Sequence, residues 1–227
     1  MTRPELWRVE LHCHTHASSD SLADPRRLLA AARRKGIDRL AITDHNTISG
    51  ALEAAALDPE TIIVGEEILT TKGELLAYFL RDEVPQGLSP EETIARLRDQ
   101  GAVISVSHPF DTMRKGAWEE ADLRAILGSV DALEVFNARV WSAAANRQAA
   151  EWAARAGLPG VAGSDAHAPF EVGAARTLLE PFTNADSFRR ALRGARVEGR
   201  RSPLWVHFVS RYASWSKALG RRGRPRS

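Results

Sequence analysis

Side chains able to hold a cation recur in this chain at one kind of place, the point where a short apolar run ends. Runs rich in Val, Ile and Leu near Trp7–His14, Arg39–Thr43, Thr61–Leu69, Leu75–Leu80, Ala102–Ser107, Ala132–Phe136 and Gly160–Gly163 read as strands. Segments of helical period separate most of them, at about Pro25–Lys35, Ile48–Leu57, Pro90–Gln100, Trp118–Leu127, Trp141–Ala156 and Ala185–Arg193. Asp24-Pro25 and Ser89-Pro90 read as N-caps followed by proline in the first turn, and Gly36, Gly101 and Gly157 as helix stops. His12 and His14, Asp44 and His45, Glu67, His108, Asn137, and Asp165 and His167 all fall at or just past the strand ends. An α/β fold with a closed or nearly closed βα barrel gathers such positions onto one face. An open doubly wound sheet gives a similar alternation.

A chain of 227 residues with 44% hydrophobic and 26% charged residues is suited to one domain with a packed core. The opening "MTRPELWRVE" holds no long apolar run, so neither a signal peptide nor a transmembrane span is expected, and a cytoplasmic location follows by default. The lone Cys13 makes no intramolecular disulfide, which agrees with that compartment. Charge is uneven: Val197 to Ser227 carries eight Lys or Arg against one acid, Glu198, giving that segment +7 within a total of +2. The expected division is a barrel over 1–196 and a basic amphipathic tail over 197–227.

The stretch "HCHTHASSD" decides the chemistry. On a strand, His12 and His14 point to one side while Leu11 and Cys13 point to the other. Two imidazoles so placed can grip one divalent cation, although an isolated pair fits a solvated strand end equally well. Five of the seven histidines lie at strand ends, however, in company with Asp20, Asp44, Glu66, Glu67 and Asp165. Mixed imidazole and carboxylate donors suit zinc, manganese or iron, and a thiolate site would need more than one cysteine. The donors exceed what one closed shell takes, so several metals are implied.

These residues resemble a known family. "HCHTHASSD", "ITDHNT", "VGEEI", "SHP" and "GSDAH" are similar in order and spacing to the motifs of the polymerase and histidinol phosphatase (PHP) metallophosphoesterases, from about Glu10 to Glu180. The resemblance implies a distorted (β/α)7 barrel with up to three divalent ions, Mn2+, Zn2+ or Fe2+, at the strand C-termini, and hydrolysis of phosphate esters. It assigns one metal to His12, His14, Glu67 and Asp165, a second to Glu67 and His108, and a third to Asp20, His45 and His167. Glu67 is preferred to Glu66 by its spacing from Gly65. Where many members carry a histidine after that motif, this chain has Glu74, a carboxylate that would favour harder ions at the second metal.

Around these ligands, Arg114, Arg139 and Arg176 follow site segments and are candidates for phosphate binding, with Asn137 beside them. Asp44 fits either an acceptor behind a ligand imidazole or a helix cap. His16 fits either a proton donor to the leaving group or an ordinary loop histidine, and Glu67 and Asp165 would act in catalysis by fixing the metals. In the tail, Trp205, Phe208, Tyr212, Trp215 and Leu219 share one helical face. That face is expected against the barrel or a sister chain, with a membrane surface or nucleic acid as the alternatives, and His207 is expected outside the chemistry. The resulting reading is a phosphoesterase acting on a small phosphomonoester, such as a nucleotide, sugar or amino-alcohol phosphate. The alternatives are a nuclease on short oligonucleotides and a non-catalytic metal-stabilised scaffold. Metal-dependent amidohydrolases also begin with paired histidines, but "TDH" and "SDAH" fit the phosphoesterase pattern better.

Overall fold

The computed structural model describes residues 6–114 and 116–222. Its strands are β1 (Trp7–Glu10), β2 (Arg39–Ile42), β3 (Ile62–Leu69), β4 (Glu74–Tyr78), β5 (Val103–Val106), β6 (Ala132–Asn137), β7 (Gly160–Gly163), β8 (Ala175–Leu179) and β9 (Arg196–Gly199). Its α-helices are α1 (Pro25–Arg34), α2 (Ser49–Leu57), α3 (Pro90–Asp99), α4 (Glu120–Ile126), α5 (Ala143–Ala156), α6 (Ala185–Leu192) and α7 (Val206–Arg222). Local chemistry sets several boundaries. Asp24 accepts from the Arg26 amide to start α1, Ser89 and Glu92 form a capping box on α3, and Gly157 closes α5 in a left-handed conformation.

The strands form one sheet in the order β7-β6-β5-β4-β3-β2-β1-β8-β9. It curls into a nearly closed barrel. β8 pairs antiparallel with Trp7, Arg8 and Val9 of β1, and its Thr177 hydroxyl receives the Ala162 amide of β7 at 2.9 Å. Beyond that wedge the two edges meet directly: the His14 amide donates to the Ala166 carbonyl at 2.8 Å, and the Ala166 amide to the His12 carbonyl at 3.2 Å. The seam therefore closes at the end that carries the histidines.

The structure departs from a uniform βα repeat at β4, which is antiparallel to both β3 and β5. No helix separates β3 from β4; Thr70 ties the turn by accepting from the amides of Lys72 and Gly73. Because β4 runs backwards, its first residue, Glu74, stands at the same end as the last residues of the parallel strands. β8 and β9 are additions that the apolar pattern does not disclose, since "ARTLL" and "RVEG" interleave polar residues. β9 also straddles the expected boundary at 196/197, so the sheet continues into the segment read as tail.

That segment ends in α7, which lies on the barrel with its polar side inward, so of the two partners expected for its aromatic face the barrel is not the one it meets. Val206 and Ala213 are buried, whereas Trp205, Phe208, Tyr212, Trp215 and Leu219 are exposed. The anchor is Arg139, itself buried, whose guanidinium donates to the Val206 carbonyl at 2.8 Å and the Ser210 hydroxyl at 2.9 Å and faces Glu171 at 3.5 Å. Lys217 donates to the carbonyl oxygens of His16 and Ser18. Among the described residues no helix is long and apolar enough to cross a membrane.

Arg139→Met leaves Glu171 buried without a counter-charge and α7 without its anchor. A loss of about 3–5 kcal/mol is expected in denaturant unfolding, together with proteolytic cleavage inside 206–222 before any in the barrel.

Candidate metal centre

His12 and His14 leave the end of β1 on the same side, and their rings lie 5.0 Å apart. The Oε2 of Glu67, on β3, sits 3.1 Å from His12 Nε2 and 3.4 Å from His14 Nε2. Asp165 Oδ1 approaches the same two nitrogens at 3.8 and 3.3 Å. A second group forms where His108 Nε2 stands 3.1 Å from Glu67 Oε1 and 3.7 Å from Glu74 Oε2. In a third, Asp20 Oδ2 lies 2.9 Å from His167 Nε2 and 3.6 Å from His45 Nε2. His45 Nδ1 links the groups, 3.1 Å from Glu67 Oε2 and 3.9 Å from Glu74 Oε1.

The donors fit divalent cations. The Nε2 atoms of His12 and His14, Glu67 Oε2 and Asp165 Oδ1 are buried, face one another and make no hydrogen bond. A buried lone pair without a partner costs free energy, and four converging on one point are satisfied together by a cation. Triads such as His12, Glu67 and His108, or His45, Glu67 and Glu74, offer ligand atoms within 4.8 Å of one another.

Hydrogen bonds behind the rings aim them. His12 Nδ1 meets Glu134 Oε1 at 3.0 Å, His14 Nδ1 meets Ser18 Oγ at 3.0 Å, and His167 Nδ1 meets the Asp165 carbonyl at 2.8 Å. Each leaves Nε2 turned toward the cluster, the usual division of labour in a metal-binding imidazole. Glycine is required at 163 by close approach, because a Cβ there would collide with the His12 Cβ. Asp165 itself has φ +54°, a left-handed conformation that aspartate tolerates better than most residues and that turns its carboxylate inward.

The electrostatics follow from crowding. Burial opposes ionising Asp165, yet Arg114 and His12 hold it well below the usual carboxylate range. Glu67 is likewise held down, against its burial, by His12 and His45. Burial works against charging His45, but Glu67 and Asp20 outweigh it and raise the imidazole to about 10. Burial, with His167 and His45 alongside, lowers His14 to about 3 and keeps it neutral. Burial and the charge of Glu67 raise Glu74.

In front of the cluster is a cavity of about 360 Å3, bordered by the cluster residues Asp20, His45, Glu74 and His167, by Arg114, and by Trp141, His207 and Ser210.

Comparison with known proteins bears directly on this arrangement. The PHP domain matches residues 10–74, and the PHP-associated region PHP_C matches residues 143–197. An uncharacterized protein of Methanocaldococcus jannaschii is 39% identical over 145 residues, which cover 58% of this chain and 82% of that one. The chain belongs to the PHP family. A 5'-3' exoribonuclease of Haemophilus influenzae is 39% identical over 66 residues, 28% of this chain and 24% of the enzyme. Among solved structures, a two-domain Bacteroides vulgatus protein containing a predicted PHP-like metal-dependent phosphoesterase superposes with a TM-score of 0.71 at 19% identity, over 86% of this chain and 65% of its own. That likeness shows the fold, a PHP-type mixed α/β barrel.

Within this PHP barrel, the nine residues assigned to metals by resemblance all reach the cluster, and Glu67 rather than Glu66 faces it. Glu66 points away, accepting the Val84 amide at 3.0 Å, and burial raises it to about 8. Arg114 enters from the turn after β5, with Nη2 2.6 Å from Asp165 Oδ2 and Nη1 3.2 Å from His108 Nε2. Other expectations need correction. His16 is half exposed and pairs with Glu53 on α2 at 3.3 Å, outside the cavity, because the chain turns outward after Thr15. Arg176 pairs with Glu198 across β8 and β9, also outside. Arg139 does border the cavity, with its Nη atoms donating to α7 and to the Asp165 carbonyl and its Nε facing Glu171 without a hydrogen bond. Asn137 is buried and bridges Glu134 and Asp165 rather than reaching the cavity. Asp44 neither orients an imidazole nor caps a helix; it clamps Thr15 through the amide and the hydroxyl.

Sequence reasoning missed Glu134, which also accepts the His108 amide at 2.8 Å. Its signal was a carboxylate inside an apolar strand, where a buried charge needs a purpose. His207, expected to take no part in the chemistry, stacks on Trp141 at 4.3 Å and borders the cavity. No periodicity discloses that contact.

Glu134→Gln removes the charge behind His12 while keeping the shape. Metal affinity measured by calorimetry is expected to fall about 10–100-fold with an unchanged circular dichroism spectrum.

Proposed function

We propose that this PHP protein hydrolyses a small phosphomonoester, such as a nucleotide, sugar or amino-alcohol phosphate, using two or three divalent cations, Mn2+, Zn2+ or Fe2+. The observation that carries the reading is the convergence of unpartnered buried donors from His12, His14, Glu67 and Asp165 beneath a cavity of about 360 Å3 with Arg114 at its edge. A cavity of that size suits a small molecule. Cations bound there would supply an activated water and offset the charge of the phosphoryl group.

The chain's own residues do the rest. Glu67 and Asp165 fix the cations, and Glu74 adds a hard oxygen donor beside His108. Arg114 presents a forked cation to phosphate oxygens, in competition with its contact to Asp165. Trp141 and His207, stacked within 10° of parallel, offer a flat wall to the leaving group. Burial, with Arg139 and Arg114 nearby, lowers His207 to about 4, so near neutrality its ring is uncharged and presents one donor and one acceptor. His16 pairs with Glu53 and is not among the residues bordering the cavity, which supports water as the proton donor to the leaving group.

A second reading, cleavage of short oligonucleotides, is supported by the sequence similarity to the exoribonuclease over part of the barrel.

The test is inorganic phosphate release from a panel of phosphomonoesters by the manganese-loaded protein. His12→Ala should abolish it, while Arg176→Ala, outside the cavity, should stay within about twofold of the parent. Retained turnover in metal-free His12→Ala protein would refute the scheme. Nucleotide release from a single-stranded oligomer, with no monoester turned over, would favour the second reading, and metal binding without either activity would mark a scaffold.

A further inference from the structure

Helix α7 has two faces of opposite character. The inner one holds Val206, His207, Ser210, Ala213 and Lys217, and it is fixed to the barrel by Arg139 and by the carbonyls of His16 and Ser18. On the outer one, at roughly 100° per residue, Trp205, Phe208, Tyr212, Trp215 and Leu219 fall within an arc of about 80°. These five side chains are between 46% and 69% exposed. Phe170, 51% exposed, lies against Trp205 at 5.4 Å and widens the stripe. A contiguous apolar stripe of this kind marks an interaction surface rather than ordinary scattered exposure.

Charge selects the partner. From Arg200 to Ser227 the chain has eight Lys or Arg and no Asp or Glu, and exposed Arg211 flanks the stripe. A symmetric pairing of two α7 faces would bring two such basic segments together with no acid on either helix to offset them. A nucleic-acid strand would want cations spaced among the aromatic rings, whereas the stripe positions themselves hold none. Trp and Tyr with aliphatic neighbours, flanked by exposed Arg211 in a segment of sequence that holds basic residues and no acid, match the boundary between acyl chains and anionic headgroups.

We infer that the outer face of α7 is an interfacial helix that docks this protein onto an anionic lipid surface. Trp205, Phe208, Tyr212, Trp215 and Leu219 enter the headgroup boundary, and the basic end of the chain meets the lipid charge. The claim concerns binding and does not depend on the proposed reaction.

Co-sedimentation of the full chain with mixed phosphatidylglycerol and phosphatidylcholine vesicles tests it. The protein should pellet with these, weakly or not at all with pure phosphatidylcholine, and less at high salt. Phe208→Ser with Trp215→Ser should cut the bound fraction at least about tenfold, and Arg211→Glu by a smaller factor, both with unchanged circular dichroism. His12→Ala should bind vesicles like the parent. Failure to pellet with the anionic vesicles overturns the inference. So does a dimer in light scattering that the double variant turns into a monomer, or retention of single-stranded polyuridylate in preference to vesicles.

Discussion

Four carboxylates, those of Asp20, Glu67, Glu74 and Asp165, are held around five imidazoles where little water reaches them. Two like charges 4 Å apart repel by about 4 kcal/mol even at an effective dielectric of 20. A chain with these residues adjacent therefore folds only if each charge is answered. Imidazoles answer some of it, and Arg114 answers Asp165. The buried Nε2 atoms of His12 and His14, Glu67 Oε2 and Asp165 Oδ1 remain without a hydrogen bond and point at one another. Much of the rest of the barrel can be understood as the means of keeping these groups close and correctly turned.

Several features that would look costly in isolation follow from that demand. The seam between β1 and the segment after β7 closes through His12, His14 and Ala166, so the hydrogen bonds that complete the barrel also set His12 and His14 against the segment that carries Asp165 and His167. Gly163 lets β7 press against His12, and Asp165 accepts a left-handed backbone two residues later. Buried carboxylates recur behind the ligands. Glu134 binds His12, His108 and Asn137, and Glu10 collects the amides of His12, Ser164 and Gly173. Burial raises Glu10 to about 7 despite those four-sided contacts with Ser164, Gly173 and His12. Such groups orient the first layer by being rigid themselves.

What the sequence discloses and what it hides divide along physical lines. Alternation along a strand is a local rule, so the shared direction of His12 and His14 was legible, and helix caps such as Ser89 are equally local. The place of the polar residues at strand ends was legible because a barrel turns that position into a common face. Strand direction was not. Nothing in "ELLAY" says that β4 runs antiparallel, and Glu74 reached the site list only through resemblance. Side-chain heading in loops was equally hidden. His16 and Arg176 lie near site motifs in sequence, yet one faces Glu53 and the other Glu198. Arg139 shows the converse: its nearness to the site was legible, but its partners on α7 are 67 and 71 residues away.

Helix α7 inverts the rule that an amphipathic helix turns its apolar side inward. The reason lies in what the barrel offers at that spot. Arg139 is a buried guanidinium whose N–H groups need acceptors, and Glu171 and the Asp165 carbonyl are joined there by acceptors on α7. The first turn of α7 supplies the Val206 carbonyl and the Ser210 hydroxyl, and Lys217 reaches carbonyls on the loop that carries Asp20. The hydrogen bonds to the buried arginine thus fix which side of the helix faces the barrel. Because His207 sits on the inward face, the element that satisfies Arg139 also forms a wall of the cavity, and the apolar stripe is left facing outward.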